Sequence, residues 1–184
     1  MAIVRGVYEV QANTGFMCIG IHHDTPAFAV DSIVKWWKQV GVKCFPGRKE
    51  LLVLADAGGT NGYRVRAWKY ELQRKVCDPN ELCVTVCHYP PGASKWNPIE
   101  HRLFSFISNN WQGIPLNSYE TILKYMRSTK TEPQATLGLK VRATLVRKKY
   151  ANGQKVSDDQ MSLLELKRHE TLPLWNYSIL PRKT

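Results

Sequence analysis

His88-Tyr89-Pro90-Pro91-Gly92-Ala93-Ser94-Lys95-Trp96-Asn97-Pro98-Ile99-Glu100-His101-Arg102-Leu103-Phe104-Ser105-Phe106-Ile107 reads as the end of a strand, a stiff turn and the opening of a helix. Asn97 suits an N-cap, because its side-chain oxygen can accept an orphan backbone N–H. Pro98 then takes the first helical position, where its missing N–H costs nothing. Glu100 falls in the first turn. Ile99, Leu103, Phe106 and Ile107 recur at helical spacing and predict one face packed inward. Glu three residues after an Asn cap is also an ordinary capping pattern, so Glu100 reads either as a capping group or as a working acid.

Upstream, Lys49-Glu50-Leu51-Leu52-Val53-Leu54-Ala55-Asp56 is a continuous apolar run closed by an acid, the pattern of a central strand buried on both faces. Ala57-Gly58-Gly59-Thr60-Asn61-Gly62 lets the backbone leave that strand closely, before a helix expected from about Tyr63 to Val76. In open α/β sheets ligands gather at such carboxyl ends of strands. Asp56 therefore reads either as a turn cap or as a second functional carboxylate. The Gly pair is too short for a dinucleotide fingerprint or a Walker loop. Arg64, Arg66, Lys69, Arg74 and Lys75 are expected to form a solvated face of the helix, and Leu82 to His88 is the next strand.

Toward the N-terminus, Gly6 to Val10 and Gly15 to Ile21 predict a hairpin about Gln11-Ala12-Asn13-Thr14. Asp24 or Thr25, with Pro26 next, opens a helix to about Val40, whose apolar face carries Ala29, Ile33, Trp36, Trp37 and Val40; both tryptophans are expected in the core. Downstream, Asn117-Ser118-Tyr119-Glu120 starts a helix to about Arg127, and Gly138 to Tyr150 reads as a basic strand. Ala151-Asn152-Gly153-Gln154 turns it so that Lys155-Val156 returns against it. Ser157-Asp158-Asp159-Gln160 caps a helix to about Leu166, and Trp175 to Ile179 is a last strand. The expected organisation is a core over 1–137 with a basic strand-and-helix extension over 138–184 packed on it.

Across 184 residues, 26 Lys and Arg against 15 Asp and Glu give a formal charge of +11. For a chain this size that favours a polyanionic partner, nucleic acid first and an anionic membrane surface second. No apolar run is long enough to span a membrane and no signal-peptide pattern opens the chain, so the expected location is cytoplasmic. Five cysteines at irregular spacing fit reduced thiols rather than a disulfide framework. A zinc site on Cys77, Cys83, Cys87 and His88 is disfavoured, since no CxxC pair occurs and strand alternation separates Cys87 from His88.

A strand ending in Asp, a helix, a strand and a helix carrying Glu, in that order and with a basic surface, is the layout of a ribonuclease H-like nuclease core. The segments Leu54-Ala55-Asp56-Ala57-Gly58-Gly59-Thr60-Asn61-Gly62 and Thr85 through Ile107 strongly resemble the DDE transposases of bacterial insertion sequences, among them the Rhodopirellula-type transposase. Asn97-Pro98-Ile99-Glu100 is also similar to the segment that carries the last acid of mariner-like transposases. The resemblance extends from Gly6-Val7-Tyr8 through His23-Asp24-Thr25 to Lys155-Val156-Ser157-Asp158 and Trp175-Asn176-Tyr177.

That resemblance implies an α/β, ribonuclease H-like core with a mixed sheet and metal-dependent cleavage and transfer of DNA strands. Asp56 and Glu100 would be the catalytic carboxylates, holding Mg²⁺ or Mn²⁺ in a two-metal site through hard oxygen ligands. Lys95, Arg102, Asn61 and Arg64 would contact DNA, with His88 and His101 nearby. The implied partners are insertion-sequence ends and target DNA, with a homo-oligomer as a further expectation, and the implied location is the nucleoid. The family's first catalytic Asp lies on a strand upstream of the segment matching Gly6-Val7-Tyr8, and no counterpart is found in this sequence. The expectation is therefore a sheet lacking its first strand, with open edges on the hairpin and on the Asp56 strand, and no cleavage by 1–184 alone. Asp24 is expected about three strand spacings, roughly 14 Å, from Asp56, too far to substitute; Asp31 is expected to face solvent. Two other readings stand beside this one: a catalytically silent DNA-binding remnant, and a ribonuclease H-like nuclease acting on RNA.

Overall fold

The computed structural model describes residues 2–132 and 138–182. In chain order the elements are β1 (Ile3–Glu9), β2 (Thr14–Gly20), α1 (Pro26–Trp36), α2 (Val42–Cys44), β3 (Glu50–Asp56), α3 (Arg66–Leu72), α4 (Asp78–Asn80), β4 (Cys83–Tyr89), α5 (Ser105–Asn110), α6 (Tyr119–Ser128), β5 (Lys140–Val146), α7 (Asp158–Ser162), β6 (Leu166–Arg168) and β7 (Asn176–Ile179). They form two compact units, one from residues 1–23 and 94–149, the other from 24–93 and 150–184. No helix among the described residues is long and apolar enough to cross a membrane.

In the first unit, β1 and β2 make the expected antiparallel hairpin, and β5 lies parallel to β2 in a sheet ordered β1-β2-β5. Alternation along β5 turns Val141 and Ala143 inward, while Lys140 and Arg142 stay exposed. Met17 and Ile19 of β2 join them in a core closed by Leu103, Ile107, Ile122, Met126 and Leu139. Leu103 lies so close to the sheet that a Cβ on Gly15 would come within 2.3 Å of its Cδ1. α6 starts where Ser118 Oγ accepts the Thr121 N–H at 3.1 Å, a side-chain cap. The expected return of Lys155-Val156 against the basic strand does not occur. β5 pairs in parallel with β2 instead, and Val156 is buried in the other unit, where its carbonyl accepts from Arg66 Nη1 at 3.4 Å.

The second unit holds a four-stranded sheet ordered β3-β4-β7-β6, with β3 parallel to β4 and the other pairs antiparallel. Val84 and Val86 of β4, with Tyr177 and Ile179 of β7, turn into a core that also buries Trp68, Leu72 and Val76. Trp68 Nε1 donates to Tyr177 Oη at 3.0 Å, so both buried polar atoms are satisfied. α1 begins as expected, with Thr25 Oγ1 accepting the Phe28 N–H at 3.1 Å and Pro26 at the first position. Trp36 and Trp37 are buried, in line with the core reading. β6 corrects the expectation of a helix to Leu166: α7 stops at Ser162, and Leu166 to Arg168 pair with β7 because the ladder outweighs local preference there.

Four further corrections follow from the packing. A single mixed sheet was the expectation, whereas the described residues form two, with β1 at the edge of one and β3 at the edge of the other. β3 is consequently not buried on both faces: Leu52 and Leu54 are 61% and 45% exposed. The charges after Asp56 are not all solvated. Lys69 is buried with Nζ 5.0 Å from the Tyr177 ring centroid, and Lys75 is ion-paired to Asp31 at 2.7 Å, so Asp31 does not simply face solvent either.

An apolar edge strand with no Lys or Pro to guard it invites pairing with other strands. Leu54→Lys is accordingly expected to shift purified protein toward a slower-sedimenting, monomeric species in sedimentation velocity. An unchanged distribution at high concentration would show that this edge drives no association.

Candidate nucleic-acid site

Asp56 is the last residue of β3 and sits on the open face of the sheet with Leu52 and Leu54, its Cα partner on β4 being Tyr89. Burial, and then the neighbouring Asp56 charge, push the Tyr89 phenol above its ordinary range. The loop beyond is shaped by two glycines. Gly59 adopts φ +73°, and a Cβ on Gly62 would fall 2.7 Å from the Ala57 carbonyl oxygen.

His88, buried on β4, fastens this loop. Its Nε2 lies 3.0 Å from the Asn61 carbonyl oxygen and its Nδ1 2.8 Å from that of Trp175. His88 thus holds Asn61 through its main chain. Arg64 is exposed, with its guanidinium 5.1 Å over the Tyr63 ring, and Tyr63 in turn packs against Trp175 at 5.4 Å. Thr60 Oγ1 donates to Asp24 Oδ1 at 3.4 Å, which places Asp24 beside the loop that follows Asp56.

Glu100 belongs to the other unit, in a π-helical turn over Glu100–Phe104 that runs into α5. The expected cap is present: Asn97 is buried, its Oδ1 accepts the Ile99 N–H at 3.4 Å and its carbonyl accepts the Glu100 N–H at 3.1 Å. Leu103 and Ile107 turn into the core and Ile99 packs against it, which fixes the helix and leaves Glu100 half-buried. Phe106 is exposed, contrary to the expectation, because it flanks the stripe that Leu103 and Ile107 define. His101 Nε2 lies 2.7 Å from the Lys95 carbonyl oxygen and ties the preceding turn to the helix. Lys95 and Arg102 are exposed, with Lys95 Nζ 5.2 Å from the Trp96 ring centroid.

Asp56, Asn61 and Arg64 therefore stand on one unit, and Glu100, Lys95 and Arg102 on the other. Among the described residues no group of three or more His, Cys, Asp or Glu is placed to hold a metal ion. The two carboxylates have the hard-oxygen chemistry that Mg²⁺ and Mn²⁺ take, but they do not make up a full ligand set. Tyr89 and Trp96 were not singled out from the sequence. Tyr89 could have been found by aligning the two strands at their acidic and aromatic ends, whereas no local signal marks Trp96 as exposed.

Comparison with curated proteins and with solved structures gives no match. The family model described as the Rhodopirellula transposase DDE domain matches residues 1–181, nearly the full length and both segments on which the resemblance was read. The chain belongs to the Rhodopirellula transposase DDE domain family.

Proposed function

We propose that this chain serves DNA transposition, contributing Asp56 and Glu100 as two carboxylates of a metal-dependent site for strand cleavage and transfer. Lys95, Arg102, Asn61 and Arg64 contact the DNA in this reading. The observation that carries it is the family match over residues 1–181. It is supported by where the two acids stand, one at a strand end followed by a glycine loop and one in the first turn of a capped helix. Mg²⁺ or Mn²⁺ is the cofactor such carboxylates suit, polarising a phosphoryl oxygen when bound. A second reading, in which 1–184 binds DNA without cutting it, draws on the excess of 26 Lys and Arg over 15 Asp and Glu, which suits phosphate contacts whether or not a strand is cut.

One experiment separates the two. The chain is incubated with an insertion-sequence-end duplex and Mg²⁺ or Mn²⁺, beside Asp56→Asn and Glu100→Gln. We expect binding that weakens as salt rises, because released counterions give a negative salt slope, and no strand cleavage. Metal-dependent cleavage lost in both variants, with binding kept, would show that another carboxylate completes the site in 1–184. Binding indifferent to salt would remove the electrostatic basis of the proposal, and preferential cutting of an RNA–DNA hybrid would favour a nuclease acting on RNA.

A further inference from the structure

Trp96 stands apart from the tryptophans of the core. Trp36, Trp37 and Trp68 are buried, whereas Trp96 is 70% exposed. An isolated exposed apolar residue needs no explanation, but this one is held and surrounded in a particular way. It ends a 3₁₀ turn over Ser94–Trp96, and the backbone is fixed on both sides of it. Before it, the Lys95 carbonyl meets His101 Nε2 at 2.7 Å; after it, Asn97 is buried and caps the helix that carries Glu100. The indole is therefore presented from a fixed turn rather than from a loose loop.

Cations accompany it: Lys95 Nζ lies 5.2 Å from the ring centroid, and Arg102 is exposed on the helix that follows. An open aromatic face among cations suits a single-stranded nucleic acid, in which the base stacks and the flanking phosphates pair with the charges. An apolar protein partner would have to desolvate those cations, and the chain's +11 charge points the same way.

We propose that Trp96 is a stacking platform for one unpaired nucleobase, with Lys95 and Arg102 taking the phosphates on either side of it. The inference rests on the DNA reading above and deepens it: the strand approaching Glu100 is bound with a base out of the duplex. Stacking is sequence-tolerant, so the preference is for unpaired strand over duplex rather than for a particular base.

The test measures binding of a fluorescent single-stranded oligothymidylate and of a blunt duplex to the parent chain, Trp96→Ala, Trp96→Phe and Lys95→Ala, by anisotropy at one fixed salt concentration. Trp96→Ala is expected to weaken single-strand binding about tenfold while leaving duplex binding within about twofold; Trp96→Phe, which keeps a π face, should recover most of the loss. Lys95→Ala should weaken both ligands. In the same chains 2-aminopurine placed in the single strand should be quenched by the parent and not by Trp96→Ala. Single-strand affinity unchanged in Trp96→Ala, or an equal loss on both ligands, overturns the stacking role while the DNA reading stands. A parent chain that binds neither ligand overturns both.

Discussion

Lys75→Met is expected to lower the unfolding free energy by about 3–5 kcal/mol, the range for removing one partner of a buried ion pair. Lys75 Nζ lies 2.7 Å from Asp31 Oδ1 and 2.7 Å from Glu71 Oε2, and the side chains of Lys75, Asp31 and Glu71 are only 27%, 16% and 4% exposed. Neutral donors complete the group: Tyr150 Oη donates to Asp31 Oδ2 at 2.9 Å and Gln154 Nε2 to Glu71 Oε1 at 2.7 Å. With the ammonium gone, two carboxylates share a site that water barely reaches. Arg74 cannot replace it, since its Nη1 is 3.6 Å from Glu71 and half exposed. Because most of the penalty is the stranded charge rather than a net worth of the pair, Lys75→Met with Glu71→Gln should regain much of the loss. Urea denaturation followed by circular dichroism reads both variants. A loss below about 1 kcal/mol for the single substitution would mean that the cluster is hydrated in solution.

The same cluster sets a pH profile. Burial alone would raise the Glu71 carboxyl, but hydrogen bonds from Lys75 and Gln154 outweigh it and hold the group below its usual range. Asp78 behaves likewise, with burial overcome by Arg182 and Gln73. A carboxyl depressed in the folded state contributes fully above its unfolded value near 4, and that contribution disappears as pH falls through the folded value. Lys75 is raised, since Asp31 and Glu71 overcome burial, so its contribution is full below about 10.4 and disappears as pH rises through the folded value. Lys69 opposes it, being lowered first by burial and then by Arg168 and Arg66. Stability should therefore be flat through the neutral range and fall on the acid side, with a shallower acid limb in Lys75→Met.

Local chemistry made part of this molecule legible in advance. Asn97-Pro98, Thr25-Pro26 and Ser157 with Gln160 each cap or open a helix where the residue types require, and β3 ends at Asp56 as its apolar run does. The misses are non-local. A continuous run such as Leu51 to Ala55 fits a central strand or an edge strand equally, and sheet order, which periodicity does not contain, decides between them. The parallel pairing of β5 with β2 and the ladder that makes β6 a strand join segments far apart in the chain. Asp31 looked solvated because its partner, Lys75, is more than one element away. For the site, the elements that carry Asp56 and Glu100 were readable, while the Tyr89 neighbour and the exposure of Trp96 depend on packing.

Leu103→Ala is expected to cost about 2–5 kcal/mol in the unit that carries Glu100, through lost burial and the cavity left behind. Leu103 is fully buried among Met17, Ile19, Ile107, Ile122 and Met126, and it belongs to the same π-helical turn as Glu100 and Arg102. Its isobutyl group occupies the space over Gly15 of β2, where an added Cβ would meet Leu103 Cδ1 at 2.3 Å. Two consequences distinguish this contact from generic core loss. Gly15→Ala alone should also destabilise, because the methyl collides with a side chain that the surrounding core keeps from moving. Combining Gly15→Ala with Leu103→Ala should cost less than the sum of the two, since the added methyl enters the space the leucine vacates, giving a favourable coupling of about 1 kcal/mol or more. Denaturant midpoints of the two single variants and the double variant, compared at equal slope, measure that coupling; strict additivity would show that Leu103 does not rest on the β2 backbone and that the helix bearing Glu100 is seated by other contacts.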